Sequence, residues 1–171
     1  MESESIDRSV IVYFLTAAGV CIMLGSLIRG WFDPFFYAAE HANVQGIDFF
    51  SIPKAFLNLL QSRSIYATWD GAHYGPYATW FVEHPATALF ISPLLALFKP
   101  WNSYAVFVLA SLALMAWSAR LVSRHAASVW QKKLPYLILF CTFPTYWMLY
   151  VGNMHAFTVL SVTLILSEVV A

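Results

Sequence analysis

The sequence predicts an all-α integral membrane protein, a polytopic helical bundle interrupted by one long loop, and two observations carry that prediction. Hydrophobic residues make up 60% of the 171 and charged residues 11%. Soluble domains carry roughly one quarter charged residues, so the apolar surface here exceeds what one small core can hide. The apolar residues also gather into charge-free runs that approach the ~20 residues a helix needs to cross a hydrocarbon core of about 30 Å. One partner class is excluded: Lys plus Arg and Asp plus Glu, 9 of each, cancel to a formal charge of zero, which removes the electrostatic basis of nucleic-acid binding. Cys21 and Cys141 lie inside apolar runs without metal-ligand spacing, and read as small apolar residues.

The first span is Val10 to Ile28, bracketed by Arg8 and Arg29. A cleaved signal would have a shorter apolar region after a basic start, whereas this run follows Glu2, Glu4 and Asp7 and lacks a small-x-small cleavage site. A surface loop then occupies 29–102. Trp31, Tyr37, Tyr66, Trp69, Tyr74, Tyr77 and Trp80 are interleaved there with charges, and rings with an apolar body and a polar N–H or O–H favour a membrane–water boundary.

Within that loop Ile52, Ala55, Phe56, Leu59 and Leu60 recur at helical spacing, with Lys54, Asn58, Gln61 and Arg63 opposite. The pattern predicts an amphipathic helix whose apolar face rests in the outer leaflet. Ser51 suits the N-cap and Pro53 the first turn, so the helix should begin just after Asp48. An anion is favoured at that end by the helix dipole. Spacing alone is satisfied if Asp48 only caps the helix.

Ala86 to Phe98 is a short apolar run containing Pro93, and at about 13 residues it fits a re-entrant or interfacial segment better than a span. Its treatment decides the topology. If it crossed, Arg120, Arg124, Lys132 and Lys133 would share the outer side with Asp48, against the positive-inside rule. The expected spans are therefore 10–28, 103–119, 134–151 and 154–171. Trp101 and Tyr104 suit the outer end of the second, Arg120 can snorkel at its inner end, and Pro144 should kink the third. Gly152 to His155 then forms a connection on the side of Asp48. Glu168 lies near the far end of the fourth span, about 14 residues or ~21 Å from that connection. The chain stops at Ala171 inside an apolar run, which leads us to expect an N-terminal piece of a longer protein.

Lys54, Arg63 and Arg29 are the loop cations able to meet a phosphate, or else headgroup contacts. His84, next to Pro85, could donate to a leaving phosphate oxygen or simply be an interface histidine. Asp70 with His73, and Glu40 with His41, lack a third ligand at recognisable spacing, so no metal is expected.

The stretch Gly46-Ile47-Asp48-Phe49-Phe50, then Lys54-Ala55-Phe56-Leu57, then Ser64-Ile65-Tyr66, then His84-Pro85 running into Ile91-Ser92-Pro93-Leu94-Leu95-Ala96-Leu97, resembles glycosyltransferase family 87, polytopic GT-C enzymes of the alpha-mannosyltransferase type. The likeness runs from the first span to about Leu166. It implies a GT-C fold with a long extracytoplasmic first loop of membrane-surface helices, in a multi-pass protein of the inner or plasma membrane. It also implies a polyprenyl-phosphate sugar donor, a glycolipid or glycan acceptor, no metal or other cofactor, and the acid of the first loop, Asp48, as base. The family's turn after the third span commonly reads Gly-Gln-x-Asn. Here Asn153 and His155 stand at its polar positions, and the altered side chains leave the sugar and acceptor open. Lys54, Arg63, His84, Asn153 and His155 are the substrate-binding candidates. The competing expectation is a non-catalytic membrane protein, a transporter fragment or assembly subunit that binds lipid or a partner. Transporters place ionisable groups at the bilayer midplane, and these spans carry almost none.

Overall fold

The structure, a computed structural model, describes residues 2–32, 45–67, 71–76, 81, 83 and 85–170, without the side chains of residues 2–7 and 170. Among them every regular element is a helix: α1 (Glu2–Arg29), α2 (Ile47–Leu60), α3 (Pro85–Phe90), α4 (Ser92–Ala96), α5 (Pro100–Ser123), α6 (Leu134–Phe140), α7 (Phe143–Val151) and α8 (His155–Val170). Two of these are long and apolar enough to cross a membrane, Arg8–Arg29 within α1 and Pro100–Ser123, and a third span results if α6 and α7 count as one. The chain divides into two compact units.

The helical unit holds Met1–Asn43, Ser111–Met148 and Met154–Ala171. On α1 the large side chains of Val10, Ile11, Tyr13 and Phe14 are more than half exposed, a continuous apolar surface of the kind that lipid covers. α1 packs on α6, and Gly19 makes this possible, because a Cβ there would overlap the Cys141 thiol. Between α6 and α7 the chain bends by 48°. Pro144 is the physical reason: it has no N–H and its ring clashes with the carbonyl four residues back, that of Phe140. The Leu139 carbonyl, freed by the break at Cys141–Thr142, accepts instead from the Thr145 hydroxyl, which has Thr142 Oγ1 3.3 Å away. α8 has 16 residues, a length of about 24 Å; it is apolar but shorter than the other candidate spans.

The surface-helix unit holds Val44–Ala110 and Leu149–Asn153. α2 departs from expectation in two ways. It starts at Ile47, after Gly46 in the left-handed conformation with φ 76°, so Asp48 lies inside the first turn rather than ahead of it. Ser51 is not the cap; its hydroxyl donates to the Asp48 carbonyl at 2.6 Å.

The second departure is the buried face. Ile52 and Ala55 are fully buried, as the apolar stripe requires, but so is Asn58, and Lys54 is only 3% exposed, whereas Leu60 is 66% exposed. Asn58 is buried because it closes the following loop: its Nδ2 donates to the Ala67 carbonyl at 3.1 Å and its Oδ1 accepts from the Ala72 N–H at 2.6 Å. A buried amide with both ends satisfied offsets its desolvation and ties α2 to the chain at Ala67 and Ala72.

The 86–98 run forms α3 and α4, of 6 and 5 residues, each under about 10 Å long. The end of α4 leaves carbonyls without helical partners. The single Tyr74 O–H is placed between Leu95 O at 3.0 Å and Phe98 O at 2.9 Å, and Ser103 Oγ donates to Leu95 O at 2.8 Å.

Candidate site around Asp48

Asp48 is half-buried and its neighbours fix its backbone on two sides. Phe49 and Phe50, both wholly buried, enter an aromatic cluster with Tyr104, Trp101 and Phe107, ring centroids 5.1–6.0 Å apart. Such edge and tilted contacts add to area burial and lock rotamers. The first turn of α2 thus carries the two aromatics inward and leaves the acid at the margin of the core.

The second constraint comes from the last turn of α7 and the glycine that follows it. The Gly46 N–H donates to the Tyr150 carbonyl at 2.6 Å, and Tyr104 Oη donates to Leu149 O at 2.6 Å, with Tyr150 O 3.2 Å away. Gly152, φ 81°, lies so close to Phe49 that a Cβ would meet the Phe49 side chain and come within 3.0 Å of its backbone nitrogen. Gly46 and Gly152 are left-handed, a conformation open to glycine at little steric cost. These contacts bring the segment carrying Asn153 against the segment carrying Asp48. Asn153 is half-buried.

The remaining candidates separate. Lys54 is buried within α2 rather than presented at the surface, and it takes part in an interaction within the protein. Arg63 is exposed just past the end of α2, its N–H donating to Asn58 O at 2.9 Å. His155 opens α8, is exposed, and belongs to the helical unit. Arg29 closes α1 and is exposed. His84 lies outside the described residues, as do Asp70, Glu40 and His41. Among the described residues no three His, Cys, Asp or Glu side chains gather as a metal site.

Two positioning residues escaped the sequence reasoning. Tyr104 looked like an interface anchor, yet its hydroxyl joins the last turn of α7; Asn58 looked solvated, yet it ties α2 to Ala67 and Ala72. Only Gly152, between an apolar helix end and Asn153, carried a local signal. Burial pushes the Tyr74 phenol above its ordinary value, with the Ser103 hydroxyl acting in the opposite direction. Comparison with protein-family models, with curated proteins and with solved structures returned no match.

Proposed function

We propose that the protein serves a membrane glycosyltransferase activity that moves a mannose-like hexose or pentose from a polyprenyl phosphate to an extracytoplasmic acceptor hydroxyl with inversion. The Asp48 carboxylate takes the hydroxyl proton as the oxygen attacks the anomeric carbon. The bond from that carbon to the phosphate oxygen breaks on the opposite face, and polyprenyl phosphate leaves with the electron pair. One displacement inverts the centre. Asn153 supplies hydrogen bonds to a sugar hydroxyl, while Arg63 and His84 remain candidates for the phosphate. The loop lies outside and the 120–133 stretch inside, as the positive-inside rule orients them.

The observation that most supports this is the tie between two segments far apart in sequence, Gly46–Phe49 and Tyr150–Asn153, through a backbone hydrogen bond and a glycine close approach. Fixing the backbone of the segment that carries the acid and of the segment that carries the amide is the kind of positioning a reacting pair of substrates requires. The burial of Lys54 favours the rival, a non-catalytic membrane subunit, because one candidate phosphate ligand serves the protein's own core instead.

The test is Asp48→Asn introduced at the native locus, with transfer of labelled sugar from polyprenyl-phosphate donors measured in isolated membranes. The amide keeps size and polarity but cannot act as a carboxylate base, so transfer should fall about 10²- to 10⁴-fold at unchanged protein level. Near-normal transfer would reduce Asp48 to a structural first-turn acid.

A further inference from the structure

Two cavities in the helical unit share Tyr136. The larger, about 700 Å³, has one wall of Tyr13, Thr16, Ala17 and Val20 from α1, and Lys132 and Lys133 on another. The smaller, about 430 Å³, is lined by Trp117, Arg120 and Arg124. Four cations therefore surround one half-buried tyrosine. The larger volume is within the roughly 300–1,000 Å³ that ligand sites usually offer.

The larger groove is polar at one end and apolar along its length. Its α1 wall follows one helix face at i, i+3, i+4 and i+7, a run of about 10 Å. At the Tyr13 end Lys133 Nζ stands 5.8 Å from the ring centroid; toward Val20 the wall is aliphatic. The chain carrying the lysines is held in place: Ser123 Oγ donates to the Lys132 carbonyl at 2.7 Å, and Gln131 Oε1 accepts from the Ser128 N–H at 3.0 Å.

The cations lie in a stretch of sequence poor in acids. Between Glu83 and Glu168 the sequence has no acidic residue, yet it contains Lys99, Arg120, Arg124, Lys132 and Lys133. Among the described residues none of the four around Tyr136 has an ion-pair partner. We propose that this groove binds one anionic phospholipid, its phosphate between Lys132 and Lys133 and an acyl chain along the Tyr13–Val20 face of α1. A zwitterionic headgroup brings a cation into the same positive field and is disfavoured. A soluble phosphate leaves the apolar wall unfilled.

The experiment is native mass spectrometry of the purified full chain in detergent, equilibrated with equimolar phosphatidylglycerol and phosphatidylcholine. One phosphatidylglycerol should survive activation per chain, in clear excess over phosphatidylcholine, and millimolar glycerol phosphate should not displace it. Lys132→Gln with Lys133→Gln should weaken retention about 5-fold per lysine. Ala17→Phe, at an exposed position, fills the groove without altering charge and should also expel the lipid. Equal retention of both lipids, displacement by glycerol phosphate, or loss with the lysine variant but not with Ala17→Phe would each overturn the proposal. Circular dichroism of both variants separates lipid loss from misfolding, and an unfolded variant is replaced by Lys133→Gln or Thr16→Leu under the same criteria.

Discussion

At Gly152 the neighbour that leaves no room for a side chain is Phe49, including its backbone, whereas at Gly19 it is the Cys141 thiol. At Gly152 main chain thus fits against main chain, and at Gly19 main chain fits against a trimmable side chain. Gly152 is also left-handed, while Gly19 sits in an ordinary helix. Backbone contact has no rotamer through which to relax. The contact at Gly152 should therefore tolerate an added side chain less well than the contact at Gly19 on α1.

The sharpest way to break that comparison is Gly152→Ala. Strain at positive φ and overlap with Phe49 together should cost about 2–5 kcal/mol, a fall of roughly 5–20 °C in melting temperature in detergent. Trimming Phe49 to Ala should not restore it, because the backbone nitrogen stays in place. A shift below about 2 °C would mean that the turn after α7 is loose.

Gly19→Ala should cost less, about 1–3 kcal/mol, and the cost should largely vanish in a Cys141→Ala background, where alanine's better helix propensity is no longer opposed. Equal costs in the two backgrounds would show that the helices meet through something other than the thiol.

The smallest effect concerns Tyr74. Its raised phenol means that the neutral form is favoured on folding, so its contribution is fully present below the ordinary tyrosine range near 10 and is lost as pH rises through the folded value. The phenolate cannot donate to Leu95 and Phe98. Alkaline melting curves should show a loss of about 1 kcal/mol that Tyr74→Phe makes independent of pH. An unchanged alkaline loss in that variant would move the effect to another group.

Much of the helical layout is legible in the residues themselves. Charge-free runs mark α1 and α5, and Pro144 marks the break between α6 and α7, because its missing N–H acts wherever it is placed. The buried face of α2 is not legible. Asn58 and Lys54 are polar, and periodicity assigns polar side chains to solvent; only the Ala67 carbonyl and Ala72 N–H, outside the helix, make burial of Asn58 favourable. The candidate site divides the same way. Asp48 stands out by its setting among aromatics, but Tyr104 acts on carbonyls 45 and 46 residues away, a separation that no local pattern reports.

The seam between Gly46–Phe49 and Tyr150–Gly152 has a consequence for descent. A side chain gained at Gly152 collides with Phe49, and one gained at Gly46 collides with Phe50 and crowds Tyr104. Lineages that keep the seam should therefore vary these positions together or not at all. A split signature, Gly-x-Asp-Phe in one half and Val-Gly-Asn in the other, should mark its descendants even after the intervening sequence has drifted.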